Sequence, residues 1–168
     1  MKLLAILNPE NVFEEEVKNY SIREAARAIV LDENGKVALL HVSRKNYYKL
    51  PGGGIDEGEN KESALRRECQ EEIGCDIEIV GEVGIIIEHR KVYTLKQTSY
   101  CYLAKVRGEK GRPEFTDDEV EEGFTEVWLP YEEAERALSE SKATDLEGSA
   151  YIVVRDNLFL REAKKHLV

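Results

Sequence analysis

Gly52-Gly53-Gly54-Ile55-Asp56-Glu57-Gly58-Glu59-Asn60, with Arg66-Arg67-Glu68-Cys69-Gln70-Glu71-Glu72-Ile73-Gly74 a few residues on, is the stretch from which the rest of the chain can be read. Asn60 is a favoured helix N-cap and Gly74 a favoured stop, so the spacing predicts a helix between them that ends at Ile73. Leu65, Cys69 and Ile73, four apart, supply its buried stripe. Glu68 stands three residues from Glu71 and four from Glu72, so all three carboxylates leave from neighbouring positions on one face. Like charges at that spacing repel. A hard divalent cation offsets the repulsion, because three carboxylates on one rigid element suit Mg²⁺ or Mn²⁺, with water and substrate phosphates completing an octahedron. The glycines before the helix let backbone approach a metal or phosphate closely. An acidic face that meets only solvent is the competing interpretation, and helix geometry by itself does not separate the two.

Upstream, Arg27–Asp32 and Lys36–Val42 flank Asn34-Gly35, the dipeptide of a tight type I′ hairpin. Downstream, Val83–His89 and Thr98–Val106 read as strands, the second alternating Tyr100, Tyr102 and Ala104 with Ser99, Cys101 and Leu103. Val127–Leu129 adds a short strand closed by Pro130, and Tyr131–Leu138 a short amphipathic helix. Residues from about 149 to 166 read as a C-terminal helix. Within residues 1–20, Leu3–Leu7 suits an edge strand, and Val12–Tyr20 either a charged helix or an arm. Helices interleaved with strands, at least one hairpin among them, point to an α/β layered fold on a mixed sheet. No repeat or linker divides residues 1–168, which read as a single domain.

The chain has 168 residues and a net charge of −10, from 24 Lys+Arg and 34 Asp+Glu. With 42% hydrophobic residues disorder is not the expectation, and 168 residues suffice for one core. An acidic chain with no basic cluster argues against duplex nucleic acid or an anionic membrane as partner, since both require neutralising cations. A polyanion bridged by metal is the exception. Cys69, Cys75 and Cys101 are odd in number and lack zinc-ligand spacing, which fits a reducing, cytoplasmic setting. The early apolar run Leu3–Leu7 is too short for a secretory signal, and no run approaches the ~20 residues of a membrane span.

Counted from Gly53, Glu59 follows six residues on, Arg67 eight after that, and Arg67-Glu68-Cys69-Gln70-Glu71-Glu72-Ile73-Gly74-Cys75 completes a 23-residue segment. It resembles the Nudix hydrolase box, in which Gly, Glu and Arg-Glu-x-x-Glu-Glu-x-Gly stand at these intervals. Every fixed position is matched; Cys69 and Cys75 fill two places where an aliphatic is more usual, and cysteine serves there as a small hydrophobe. Leu50-Pro51-Gly52-Gly53, the preceding hairpin and Trp128 to Ala134 extend the resemblance over roughly 21–138. It implies a Nudix-type α/β/α sandwich with a mixed β-sheet, and a Mg²⁺-dependent hydrolase, with Mn²⁺ as the alternative ion, that cleaves the pyrophosphate linkage of a small nucleoside diphosphate derivative. A non-catalytic nucleotide sensor on the same scaffold is the alternative. A homodimer is left open.

The resemblance also implies roles. Glu68, Glu71 and Glu72 are the expected metal ligands and catalytic carboxylates, with the Gly53 carbonyl as a further ligand. Glu59 and Arg67 are expected to be a structural pair that holds the loop on the helix. Many relatives take another acid from a loop before a late strand. Here Glu114–Glu126 holds seven acids and no Lys or Arg. Glu122 is the choice among them, with Glu119 and Glu121 as alternatives. Arg23, Arg27, Arg44 and Lys49, near or before the box, are the candidate phosphate contacts, and Tyr48 a candidate to stack on a base. Tyr93 lies 18 residues after Cys75, near the place where dinucleoside-polyphosphate hydrolases of the family carry a tyrosine. His41 and His89 read as ordinary strand residues.

Overall fold

A computed structural model describes residues 1–167. Eight strands form one mixed sheet: β1 (Leu3–Leu7), β2 (Ser21–Leu31), β3 (Val37–Val42), β4 (Tyr47–Lys49), β5 (Gly52–Gly54), β6 (Asp76–Arg90), β7 (Leu95–Arg107) and β8 (Phe124–Leu129). The main path runs β1-β6-β7-β2-β3-β4, with β5 paired to β2 and β8 to β3. Strands β1 and β6 pair in parallel, as do β2 and β7, whereas β6 and β7 form a long antiparallel ladder. The described residues also form five α-helices: α1 (Glu14–Val17), α2 (Lys61–Ile73), α3 (Asp117–Glu122), α4 (Tyr131–Ser139) and α5 (Val153–Ala163). A π-helical turn at Gly148–Ile152 leads into α5, and a 3₁₀ turn at Lys164–His166 follows it.

Two-residue periodicity divides the core. Ala26, Ala28, Val30, Ala38, Leu40, Tyr102 and Ala104 face Leu65, Cys69 and Ile73 of α2. From alternate positions, Ile29, Val37, Leu39, Cys101 and Leu103 face α4 and α5 through Ala134, Leu138, Phe159 and Leu160. The sheet is therefore buried on both sides, the α/β/α sandwich expected from the sequence. Helix α2 begins as expected: the Asn60 side chain accepts from the Ser63 N–H, and Gly74 closes the helix in the left-handed region.

Three local expectations change. The hairpin turn is not type I′, because only Gly35 of the Asn34-Gly35 pair has a positive φ, +73°. Asp32 redirects it: its carboxylate accepts from the N–H groups of Asn34 and Lys36, which gives a type I turn closed by a left-handed glycine. The acidic loop is partly helical, since Thr116 and Glu119 form a capping box at the start of α3. Val12–Tyr20 contains only the single turn of α1.

Gly74 and Gly35 separate two costs. Both are left-handed, yet a Cβ on Gly35 meets nothing within 4 Å, whereas one on Gly74 would lie 2.6 Å from the backbone of Arg112. Gly35→Ala is expected to lose ~1–2 kcal/mol in urea unfolding, and Gly74→Ala distinctly more; equal losses would contradict the close approach at Gly74.

Candidate active site

Strand β5 brings the glycine run against α2. Gly52 has φ +127°, and a Cβ there would lie 2.2 Å from the Ala26 carbonyl oxygen; at Gly53 a Cβ would lie 2.5 Å from Glu68 Oε1. The first glycine allows β5 to pair with β2, and the second lets a carboxylate lie on the backbone.

Each box carboxylate has a definite partner. Glu72 is buried, with Oε2 accepting from the Gly52 N–H at 2.6 Å and Oε1 from Lys49 Nζ at 3.0 Å. Burial outweighs both bonds and pushes its carboxyl up from 4.5 to about 7. Arg67 is the hub for the others. Its Nε and Nη2 fork onto Glu59 at 2.9 and 3.0 Å, Nη1 reaches Glu68 at 2.8 Å and Glu71 at 3.4 Å, and Nη2 also donates to the Gly54 carbonyl at 3.0 Å. The fork holds the Glu59 carboxyl below its usual range and raises the guanidinium pKa. Glu59 also accepts from the Asp56 N–H, closing the loop onto the helix.

Glu68, Glu71 and Glu72 therefore lie on one helix face but are drawn apart by Arg67, Lys49 and Gly52. Among the described residues no three His, Cys, Asp or Glu side chains converge as a ready-made metal site. The donors nevertheless fit a hard divalent cation: they are carboxylates, and Glu68 lies against Gly53 in space that any Cβ would occupy. The Arg67 and Lys49 pairings are the contacts that such an ion has to exchange.

A cavity of about 180 Å³ opens beside the glycine run, with Gly52 and Gly53 in its wall. Six cations line it: Arg23, Arg27, Lys45, Lys49, Arg90 and Arg155. Glu122, at the end of α3, lines it too and is held 2.6 Å from Lys45 Nζ. Arg23 is exposed and donates to Gln97 Oε1 at 2.8 Å. The remaining candidates lie elsewhere. Glu119 is committed to the capping box, and Glu121 is exposed. Arg44 is exposed in the turn after β3, where its N–H donates to the Glu122 carbonyl. Tyr48 stacks on His41 at 4.5 Å and faces a different groove, beside Leu129 and Glu133, while its neighbour Tyr47 lines the cavity. Tyr93 is exposed in the turn between β6 and β7.

Sequence reasoning missed Arg90 and Arg155, which line the cavity with the expected Arg27. Arg27, Arg90 and Arg155 are all buried, and the last two share Glu88, which accepts from Arg90 Nε at 2.7 Å and Arg155 Nη1 at 3.0 Å. Arg155 Nε donates to Asp156 Oδ1 at 2.7 Å, and Asp156 Oδ2 accepts from the Leu50 N–H at 2.8 Å. Arg27 Nη1 donates to the Gly52 carbonyl at 2.8 Å. The one signal in the sequence was charge set among apolar neighbours, as in Arg155-Asp156 within an otherwise amphipathic helix.

Sandwich, glycine turn and glutamate helix define an α/β/α class of fold with a carboxylate-rich site beside a cationic cavity. The sequence model of the NUDIX domain matches residues 21–148, and the chain belongs to that family. It is 59% identical over 74 residues to an RNA pyrophosphohydrolase of Sulfurovum sp., covering 39% of this chain and 47% of that protein. It is 35% identical over 122 residues to an RNA pyrophosphohydrolase of Nitratiruptor sp., covering 61% and 77% respectively. Nudix hydrolase 5 of Arabidopsis thaliana is 28% identical over 68% of this chain and 38% of its own length. The matched region thus spans less than half of the Sulfurovum and Arabidopsis proteins. The crystal structure of a C. elegans Ap4A hydrolase superimposes with a TM-score of 0.62 over 88% of this chain and all of that one, at 16% identity, a likeness of fold.

The buried Glu72 sets a pH dependence. Its carboxyl is raised in the folded chain, so the fold binds this proton more tightly than the unfolded chain does. The associated stability is present below the ordinary carboxylate range and is lost as pH rises through about 7. In a metal chelator, wild type should lose on the order of 3 kcal/mol relative to Glu72→Gln between pH 4.5 and 7.5; parallel pH profiles of urea unfolding would contradict the burial of an ionisable Glu72.

Proposed function

We propose that this chain is a pyrophosphohydrolase that cleaves the phosphoanhydride linkage of a nucleoside diphosphate derivative, using Mg²⁺, with Mn²⁺ as the alternative ion. Glu68, Glu71 and Glu72 would hold the ion, with the Gly53 carbonyl and Glu122 as further ligands. When bound, the ion supplies Lewis-acid stabilisation of phosphoryl charge and a more acidic bound water. The observation that carries the reading is the adjacency of two opposite features: a helix face of three glutamates, and a cavity lined by six cations that shares Gly52 and Gly53 with it.

The chain's own groups divide the work. Glu72, a buried carboxylate held against the Gly52 N–H, is positioned beside the glycine turn to orient the attacking water or accept its proton. Lys49 and Arg23 offer positive charge to the phosphates beside the glycine turn. Arg67 and Glu59 act indirectly, by holding Gly54 and the loop on the helix. The relatives, RNA pyrophosphohydrolases and an Ap4A hydrolase, favour RNA and nucleotides with a pyrophosphate linkage as substrate class, and the acidic surface disfavours a nucleic acid duplex. Among the described residues no helix is long and apolar enough to cross a membrane. Three buried, unpaired cysteines support a reducing, cytoplasmic setting.

A phosphate-release screen of nucleoside triphosphates, dinucleoside polyphosphates, nucleotide sugars and ADP-ribose with Mg²⁺ tests the reading. Glu72→Gln is expected to lower kcat by several orders of magnitude while retaining the fold by circular dichroism. Binding without turnover of any member would favour the nucleotide-sensor alternative, and equal turnover by wild type and variant would remove Glu72 from the chemistry.

A further inference from the structure

The turn between β3 and β4 ties together two segments that lie far apart in sequence. Its backbone is held from both sides: the Arg44 N–H donates to the Glu122 carbonyl at 3.2 Å, at the end of α3, and the Lys45 carbonyl accepts from the Thr144 N–H at 3.0 Å, in the segment before α5. Asn46 adds a side-chain bond to the Lys142 carbonyl at 3.0 Å. With the turn clamped in this way, the Lys45 side chain lies between two carboxylates. Its Nζ is 2.6 Å from Glu122 Oε1 and 3.4 Å from Asp145 Oδ2.

The two carboxylates differ in how firmly they are held. Asp145 is anchored: Oδ1 accepts from the Gly148 N–H at 2.8 Å, and a Cβ on Gly148 would lie 2.6 Å from that oxygen, so the close approach requires a glycine. Oδ2 is left to face Lys45. Glu122 is the opposite case, for it stands on the last residue of a six-residue helix and keeps 37% of its side chain exposed. Among the described residues its carboxylate is paired with Lys45 alone. Glu147, the other acid in the cavity wall, is taken by Arg90 and does not compete for Lys45.

These contacts bear on the ion that the proposed reaction uses, because Glu122 is one of the carboxylates assigned to it. An ammonium 2.6 Å from Oε1 competes with a divalent cation for that oxygen and repels the cation once it binds. Asp145 offers the ammonium a second carboxylate already within ion-pair distance, reached by turning the last torsions of a flexible side chain. The charge of Lys45 is then balanced whichever carboxylate it holds.

We propose that Lys45 is a positioning residue for Glu122: it holds that carboxylate at the cavity until a divalent cation takes it, and Asp145 then receives the ammonium. The inference rests on the metal-dependent reading under the proposed function and adds to it a pair of residues outside the Nudix box.

Mn²⁺ titrated into the full-length chain without nucleotide, and read from the loss of the free-ion EPR signal, tests the exchange. Lys45→Met removes the competitor and is expected to tighten Mn²⁺ binding about threefold or more, and Asp145→Asn, which still accepts from Gly148 but no longer attracts the ammonium, to weaken it by a similar factor. Simple charge effects on the ion give the same two signs, so the double variant decides. When Asp145 acts through Lys45, adding Asp145→Asn to Lys45→Met leaves the affinity unchanged; a weakening as large as in the wild-type background overturns the exchange. A Lys45→Met chain that binds Mn²⁺ no more tightly than wild type overturns it as well. If a variant does not fold, a crystal structure of the wild type with Mn²⁺ replaces it: Lys45 Nζ is expected on Asp145, and Lys45 still paired with Glu122 overturns the exchange. A wild type that binds no Mn²⁺ removes the metal-dependent reading and the exchange with it, whereas identical affinities in a wild type and variants that all bind Mn²⁺ remove the exchange alone.

Discussion

The short segment Leu50-Pro51-Gly52 is the joint on which both layers of the sandwich depend. The Gly52 N–H is taken by Glu72 of α2, below the sheet, and the Gly52 carbonyl by Arg27 of β2. The Leu50 N–H is taken by Asp156 of α5, above the sheet, and the Pro51 carbonyl by the Ala28 N–H. Buried backbone polar groups must find partners, and a three-residue strand finds few by pairing alone. Here charged side chains from three distant elements supply them. The positions of α2, β2 and α5 relative to the glycine turn are consequently set by hydrogen bonds as well as by apolar packing.

Such an arrangement is costly to build and costly to disturb. Glu88, Arg155 and Asp156 are each fully buried, and buried charges repay their desolvation only when fully paired. Removing one partner leaves another uncompensated, so the network tolerates single substitutions poorly. Apolar replacements would stabilise many folds at these positions.

What was legible in the sequence was local. Asn60, Gly74 and the four-residue stripe of Leu65, Cys69 and Ile73 announce α2 because each acts within one helix. Strand alternation at Tyr100–Ala104 announces the two faces of β7 for the same reason. The hairpin turn was misread because Asp32, two residues before Asn34, competes for the same backbone N–H groups. The start of α3 was visible in principle in Thr116 and Glu119, but a run of acids masked it. The burial of Glu88, Arg90 and Arg155 was scarcely legible. Charged residues in a strand or amphipathic helix normally meet water, and only the three-dimensional register turns these three inward together.

The net charge of −10 takes on a different meaning once side chains are placed. Seven acids lie between Gly53 and Cys75 and seven between Glu114 and Glu126, leaving a nearly neutral remainder. That remainder is not evenly mixed: six of its cations gather around one small cavity. Acids are segregated to the helix face and the loop and cations to the cavity wall, and in a setting of reduced dielectric each of those buried charges acts more strongly than it would at the surface.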